Sequence, residues 1–129
     1  MKTREEVERL EKLIVQLEGM HSEITQLAKK SPNDGLNLFK LKLVNKVIAT
    51  GNDILQGRYR PFDHFEQFEE EALPSNSDVT MILAQYMEQA ERFRSDNVAI
   101  HAHSWRYLVD GKPTDIDAKP PTKVGGVKK

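Results

Sequence analysis

Cysteine is absent from this chain of 129 residues, tryptophan occurs once, and no apolar run approaches the length of a membrane-spanning helix. The lack of cysteine excludes disulfide bridges, thiolate nucleophiles and cysteine-ligated zinc sites. The lack of a long apolar run predicts that the protein has no membrane partner. The amino terminus is acidic and amphipathic and differs from a signal peptide, so the expected compartment is the cytoplasm.

An excess of either charge is also lacking, because 19 basic and 20 acidic side chains leave a formal net charge of −1. This balance gives no overall attraction to nucleic acid or to a membrane surface. The chain does contain 38% hydrophobic and 30% charged residues, a composition typical of one soluble folded domain. We predict a helical bundle domain over 1–111, followed by a flexible tail over 112–129 that is rich in lysine, proline and glycine.

The first predicted helix covers about residues 4–30. Thr3 and Glu6 have the spacing of a capping box, in which two side chains satisfy free backbone N–H groups. Lys29 and Lys30 close the other end, where the helix dipole favours positive charge. Apolar residues recur three and four positions apart, as in the seam of a coiled coil: Val7, Leu10, Ile14, Leu17 and Ile24.

The second predicted helix covers about residues 36–56, and its apolar positions form two neighbouring rows. Residues 38–47 also alternate like a strand, but the pattern continues past strand length and favours a helix. One row contains Leu36, Phe39, Leu43 and Val47, and the other contains Leu41, Val44 and Ile48.

A third helix over about 77–101 completes the predicted fold, an all-α bundle of three main helices with the first one longest. A short helical turn is expected near 62–71, where aromatic residues recur every third position. From residue 104 the pattern changes to period two, with Asp110-Gly111 as a turn signal, so a short extended end or hairpin is an alternative there.

The apolar stripe of the first helix is wider than one antiparallel neighbour needs. Leu13, Met20 and Leu27 lie along one side of it at seven-residue spacing, and His21 is adjacent. Soluble proteins seldom leave such a patch exposed, and a two-fold axis closes it with one self-complementary surface. We therefore predict a homodimer through these four residues, which weakens as His21 becomes protonated at about pH 6.

The segment 59–71 combines aromatic and acidic side chains, a pattern typical of protein contact surfaces. No phosphate-binding glycine loop and no activated nucleophile accompanies it. We therefore predict a small non-catalytic helical interaction protein without a cofactor: an adaptor, an accessory subunit or a protein inhibitor. Its predicted contact residues are Tyr59, Phe62, Phe65, Phe68, Glu69 and Glu70.

Nucleic-acid binding is the first alternative function. The second predicted helix and the residues after it carry the main basic cluster of the chain, and the basic tail adds to it. The cluster consists of Lys40, Lys42, Lys46, Arg58 and Arg60.

A metal-dependent helical enzyme is the second alternative function. Glu18 and His21 have the Glu-x-x-His spacing of di-iron bundle proteins. Two Glu-x-x-Glu pairs have a spacing similar to that with which nucleotide pyrophosphatases of the MazG kind hold magnesium. These pairs are Glu5 with Glu8 and Glu88 with Glu91.

Two histidines near the only tryptophan form one more candidate metal site. His101 and His103 would point the same way on a strand but about 200° apart on a helix. A shared metal therefore requires an extended chain and a third ligand such as Asp63 or His64. The simpler interpretation is that Trp105 packs the end of the bundle while the histidines face water.

Overall fold

The computed structural model describes residues 1–122 and shows a mixed α/β fold, so the predicted all-α class is wrong. The helices come first: α1 (Arg4–Lys30), α2 (Leu38–Ile54) and α3 (Asn76–Ser95). A three-stranded antiparallel sheet follows: β1 (Val98–His101), β2 (Ser104–Val109) and β3 (Lys112–Asp117), with β2 in the centre. Within the described residues, no helix is long and apolar enough to cross a lipid bilayer.

Helix α1 begins and ends where its capping pattern predicts. The Thr3 hydroxyl oxygen accepts a hydrogen bond of 3.1 Å from the backbone N–H of Glu6. Lys29 and Lys30 occupy the last turn, where their charge favours the helix dipole. The buried face of the helix is apolar throughout and consists of Val7, Leu10, Leu13, Leu17 and Ile24.

Residues 38–47 are helical, which decides between the two interpretations of that segment. Asn37 caps α2 because its side-chain oxygen accepts a hydrogen bond of 2.9 Å from the N–H of Lys40. The row of Leu41, Val44 and Ile48 is buried against the other helices. Phe39 and Leu43, in the other row, stay exposed, so the helix buries a narrower face than its apolar pattern suggests.

Helix α3 ends at Ser95 and not near residue 101, which is the main error in the predicted fold. Asp96 and Asn97 are weak helix formers, and the Asn97 amide caps the helix by donating to the carbonyl of Phe93 at 2.8 Å. Beyond them the sequence alternates with period two and forms β1 and β2. The extended alternative from residue 104 onward was correct for β2, whereas β1 lies within the range predicted as helix.

The predicted disorder from residue 112 onward is also wrong for the residues that the structure describes. The Asp110-Gly111 turn has positive φ at both positions, as a two-residue hairpin turn requires, and returns the chain as β3 along β2. A bulge between Arg106 and Leu108 interrupts this pairing, and the Thr114 hydroxyl bridges it by donating to the carbonyl of Tyr107 at 2.7 Å. Tail residues 123–129 lie outside the described residues.

No helical turn forms over 62–71; a 3-10 turn at Gly57–Tyr59 precedes an irregular segment instead. The segment lacks helical hydrogen bonds, and two asparagine side chains of α2 bind its backbone instead. The Asn45 amide donates to the carbonyl of Phe68 at 3.0 Å and accepts from its N–H at 2.9 Å. The Asn52 amide donates to the carbonyl of Phe65 at 3.1 Å. Side chains of the neighbouring helix therefore satisfy backbone groups that a helical turn would have paired.

The apolar interior is divided into two clusters. The larger one lies among the three helices, where Tyr86 is fully buried and donates its hydroxyl to the Asn52 side-chain oxygen at 2.6 Å. The smaller one joins Val7 of α1 to Val98 and Tyr107 of the sheet. The sheet therefore covers the amino-terminal part of α1, and the remaining helix surfaces are left for other contacts.

Candidate interaction surface

The aromatic residues of the segment 59–71 are mostly used inside the molecule. Tyr59 packs against Phe93 with ring centroids 4.8 Å apart, and Phe65 and Phe68 pack against the main cluster. Phe62 remains 37% exposed. These contacts leave the segment little apolar surface for a partner.

The two acids predicted to share that contact differ in exposure. Glu69 is exposed and Glu70 is half-buried, at the end of the stretch that Asn45 fixes. Neither has a resolved ion pair within residues 1–122. The predicted surface therefore reduces to Phe62 and a few solvated carboxylates.

The four residues predicted for self-association are not exposed together. Leu13 is fully buried in the main cluster, whereas Met20, His21 and Leu27 are half-buried. Helix α2 occupies the side of α1 that was expected to lie free, since Leu13 and Met20 border a cleft together with Leu43 and Val47 of α2. Of the four, Met20 still reaches the surface of this cleft.

The strongest exposed apolar feature is a groove between α1 and α2. Phe39 is 73% exposed and Leu43 is 39% exposed, and both line the groove beside Met20. The apolar end of the groove has a volume of about 240 Å³, and a cleft of about 360 Å³ continues it toward Arg9 and Thr50. All lining residues come from these two helices, so no third chain segment within residues 1–122 covers the groove.

Gly19 lines the groove and has no side chain that would project into it. It lies in the interior of α1, where glycine is about 1 kcal/mol less favourable than alanine. A Cβ atom added there would meet no atom within 4 Å, so internal packing does not require the glycine. The space beside the α1 backbone is therefore open at this point.

The charges around the groove are predominantly positive. Lys40 is bound to Glu23 at 2.7 Å and Arg9 to Asp53 at 2.9 Å, so these pairs neutralise each other. The hydrogen bond from Lys40 also holds the pKa of Glu23 below its usual value. Lys12 and Lys46 line the groove as well. Lys42 does not line it but is exposed on α2 one helical turn before Lys46.

These three lysines, Lys12, Lys42 and Lys46, have no acidic partner in the part of the chain that the structure describes. We call Phe39, Leu43, Met20 and these three lysines the α1–α2 face. It combines exposed apolar side chains with three uncompensated positive charges.

The five residues of the predicted nucleic-acid site do not form one basic surface. Lys40 is paired with Glu23, Arg58 with Asp96 at 2.7 Å, and Arg60 with Glu66 at 3.0 Å. Arg60 is also largely buried, because it donates to the carbonyl of Phe65. Lys42 and Lys46 are the two members of the set that keep an unpaired charge on the α1–α2 face.

The candidate metal ligands remain dispersed. His101 and His103 are exposed at the β1–β2 turn, where His103 has a φ of 68°. Glu91 is bound by Arg94 at 2.6 Å and is not a free partner for Glu88. Among residues 1–122, no three His, Asp or Glu side chains are grouped so that they could hold a metal ion.

A polar cluster around Arg94 was not foreseen from the sequence. Arg94 is 4% exposed and donates to both carboxylate oxygens of Glu91, at 2.8 and 2.6 Å. It also donates to the backbone carbonyls of Lys119 and Pro120, each at 2.9 Å. Arg94 therefore ties the chain after β3 to α3.

The carboxylate of Glu91 completes this cluster. It accepts a hydrogen bond of 2.6 Å from the Thr122 hydroxyl. Burial acts to raise the pKa of Glu91, but hydrogen bonds from Arg94 and Thr122 outweigh it and hold the pKa below its usual value. Arg94 and Glu91 together thus hold residues 119, 120 and 122 against α3.

Comparison of the chain with known protein families, with curated proteins and with solved structures found no match in any of the three.

Proposed function

We propose that this chain is a small non-catalytic interaction protein whose α1–α2 face binds an acidic amphipathic helix of a partner protein. The observation that supports the proposal is the exposure of Phe39 and Leu43 between two helices, with unpaired lysines at the rim. Contiguous exposed apolar surface with a polar border is characteristic of protein contacts. An adaptor, an accessory subunit or an inhibitor would use such a face.

The geometry of the face suits a helix better than an extended peptide. The stretch of α2 from Phe39 to Thr50 that lines it is about 16 Å long, which corresponds to three turns of a partner helix. A groove between two helices accepts apolar side chains spaced three and four positions apart. Gly19 permits the close approach of the partner backbone near the centre.

The charge of the face selects the partner. Lys12, Lys42 and Lys46 would attract carboxylates on the flanks of the bound helix, which speeds association and fixes its orientation. Two copies of this face would repel each other through the same lysines, so the face does not favour self-association. The acidic segment 59–71 then serves mainly to complete the fold, with Phe62 at its surface.

The proposal can be tested with a displayed library of helical peptides, followed by fluorescence anisotropy of the best binders. We expect the enriched peptides to be acidic and to carry apolar residues at i, i+3 or i+4 and i+7. Phe39→Ala should weaken their binding at least tenfold. The matched control is Met81→Ala, since Met81 is an exposed apolar residue of α3 outside the groove, and it should leave binding unchanged.

The charge requirement has its own test in the same assay. Lys42→Glu together with Lys46→Glu should abolish binding of the acidic peptides and favour peptides in which glutamate is replaced by lysine. Enrichment of basic peptides by the unmodified protein would contradict the proposal, as would a lack of any enrichment or equal binding by Phe39→Ala. Tighter, salt-sensitive binding of a labelled oligonucleotide would support the nucleic-acid alternative instead.

A further inference from the structure

The outer edge of β1 presents unpaired backbone groups. Leu108 donates to the carbonyl of Asn97 at 2.8 Å, and this bond fixes which residues of β1 point toward β2. Since hydrogen-bonded and non-hydrogen-bonded pairs alternate in an antiparallel ladder, Ala99 and His101 bond to β2. The N–H and C=O groups of Val98 and Ile100 therefore point outward, and nothing else within residues 1–122 pairs with them.

The opposite edge of the sheet is protected in several ways. Strand β3 contains Pro113, which has no N–H to offer, and the charged residues Lys112 and Asp115. Asp115 is bound to Arg4 at 2.6 Å, and the bulge twists the strand away from a regular edge. Proline, charge and a bulge are the usual means by which a sheet edge is kept from pairing with another chain.

Strand β1 has none of these protections. Its four residues, Val98–His101, include no proline, lysine or acid, and the Ile100 side chain is 62% exposed. The side chain of Ile100 projects on the same face of the sheet as that of Val98, because the two are separated by two positions. The edge therefore carries no lysine, acid or proline, and its exposed apolar side chain is Ile100, whereas Val98 is buried in the small cluster.

We infer that β1 pairs antiparallel with β1 of a second copy of this chain, joining two three-stranded sheets into one of six strands. A two-fold axis beside Ala99 places Val98 of one copy opposite Ile100 of the other. The outward donors and acceptors of these residues then match without a shift in register. At the axis Ala99 faces its own counterpart, and its small side chain suits the close spacing of a non-hydrogen-bonded pair.

A second copy suits this edge better than an unrelated extended peptide. The edge is complementary to itself in hydrogen bonds, and it carries no charge that would repel its copy. Ile100 would lose part of its exposure, because it would lie opposite Val98 beside the small cluster of the other copy. Because the strand has only four residues, it buries far less than the roughly 1,000 Å² of a stable interface, so we expect weak, concentration-dependent association.

Sedimentation velocity over micromolar to millimolar concentrations tests the inference. The unmodified protein should shift from monomer to dimer, and Ile100→Pro should remain monomeric, because it removes an outward donor and no bond to β2. Ile100→Thr is the matched control: it keeps the N–H and should still dimerise, with reduced affinity. Phe39→Ala should not change dimerisation, which separates this inference from the proposed function.

Amide hydrogen exchange of the unmodified protein gives a second readout that does not depend on a variant folding. Protection of the Val98 and Ile100 amides should rise with protein concentration, while the Ala99 and His101 amides, already bonded to β2, should not change. A protein that stays monomeric throughout would overturn the inference. So would a dimer that persists in Ile100→Pro, or protection at Val98 and Ile100 that is independent of concentration.

Discussion

Helix α1 packs against α3 along one seam and against α2 along another, and the two seams differ in whether a further chain segment borders them. Along the α1–α3 seam, Ile14 and Glu18 share a cleft with Met87 and Glu91, and residues 119–122 border it. Arg94 holds these residues with two hydrogen bonds, to the carbonyls of Lys119 and Pro120, and donates two more to Glu91. Along the α1–α2 seam, no third chain segment is present in residues 1–122, and Phe39 remains mostly exposed.

The two seams therefore differ in how much of their surface the residues after β3 cover. The residues after β3 are placed on the seam that is already the more closely packed one, and a buried arginine is committed to holding them there. The open seam keeps its apolar side chains and its positive charge. The groove is therefore the surface on which the proposed function depends.

The largest effect on the comparison is expected from Arg94→Ala, which removes the side chain that holds residues 119 and 120 on the α1–α3 seam. This change leaves the Glu91 carboxylate and two backbone carbonyls without their buried donor, and we expect a loss of about 3 kcal/mol in the free energy of unfolding. Urea denaturation measures the loss, and limited proteolysis should detect cleavage within residues 118–122. Arg94→Lys should recover only part of the stability, since lysine keeps the charge but not the fork of donors. Unchanged stability in Arg94→Ala would show that the residues after β3 contribute little to the covered seam.

A smaller effect is expected from high pH on the same side of the molecule. Burial raises the pKa of Tyr107 to about 12, and this residue borders the cleft beside Glu11 and Arg94. Its raised pKa favours the folded state fully below pH 10, where tyrosine of the unfolded chain titrates, and this contribution is lost as the pH rises toward 12. The loss should be on the order of 2 kcal/mol.

The measurement for Tyr107 is thermal unfolding at a series of alkaline pH values. The variant Tyr107→Phe should be less sensitive to pH between 10 and 12 than the unmodified protein. Tyr59→Phe is a comparison variant: burial raises the pKa of Tyr59 as well, so its effect shows what a buried tyrosine outside this cleft contributes to the pH sensitivity. An identical pH dependence of the Tyr107 variant and the unmodified protein would be the contrary result.

The smallest effects should come from two glycines in helix interiors, one packed and one open. A Cβ atom on Gly51 would lie 3.0 Å from the ring of Tyr86, and the bond to Asn52 keeps that ring from moving. We expect Gly51→Ala to destabilise the protein by about 1 kcal/mol in spite of its better helix propensity. Gly19→Ala meets no atom and should stabilise it by roughly 0.5–1 kcal/mol. Urea denaturation distinguishes the two signs, and a destabilising Gly19→Ala would mean that the α1–α2 seam is less open than described.

The sequence predicted well those features of the fold that depend on residues close together in the chain. Thr3 caps α1 and Lys30 lies in its last turn, as expected, and the continued apolar pattern correctly favoured a helix over 38–47. The end of α3 was predicted wrongly because Ile100 continues the apolar spacing of the helix. The stronger signal was the period-two pattern around Trp105, which was considered only as an alternative.

The α1–α2 face could not be predicted in the same way. Phe39 and Leu43 share a helical row with Leu36, which is buried, so spacing alone assigned all of them to the core. The angle at which α2 meets α1 decides which of its rows is covered, and that depends on contacts distant in sequence. The Arg94 cluster was missed for the same reason, because its partners, Lys119 and Pro120, contribute backbone carbonyls that have no sequence signature.

The small cluster of Val7, Val98 and Tyr107 affects the order in which the chain can fold during synthesis. It joins the first helix to the central strand of the sheet, and the ion pair between Arg4 and Asp115 spans 111 positions in the same region. Contacts between such distant residues form slowly, because a long loop must close first. While the ribosome is still extending the chain, α1 and α2 can already meet, whereas Val7 must wait for Tyr107 to emerge. The nascent protein therefore displays its lysine-rimmed groove before its amino-terminal helix is fully covered.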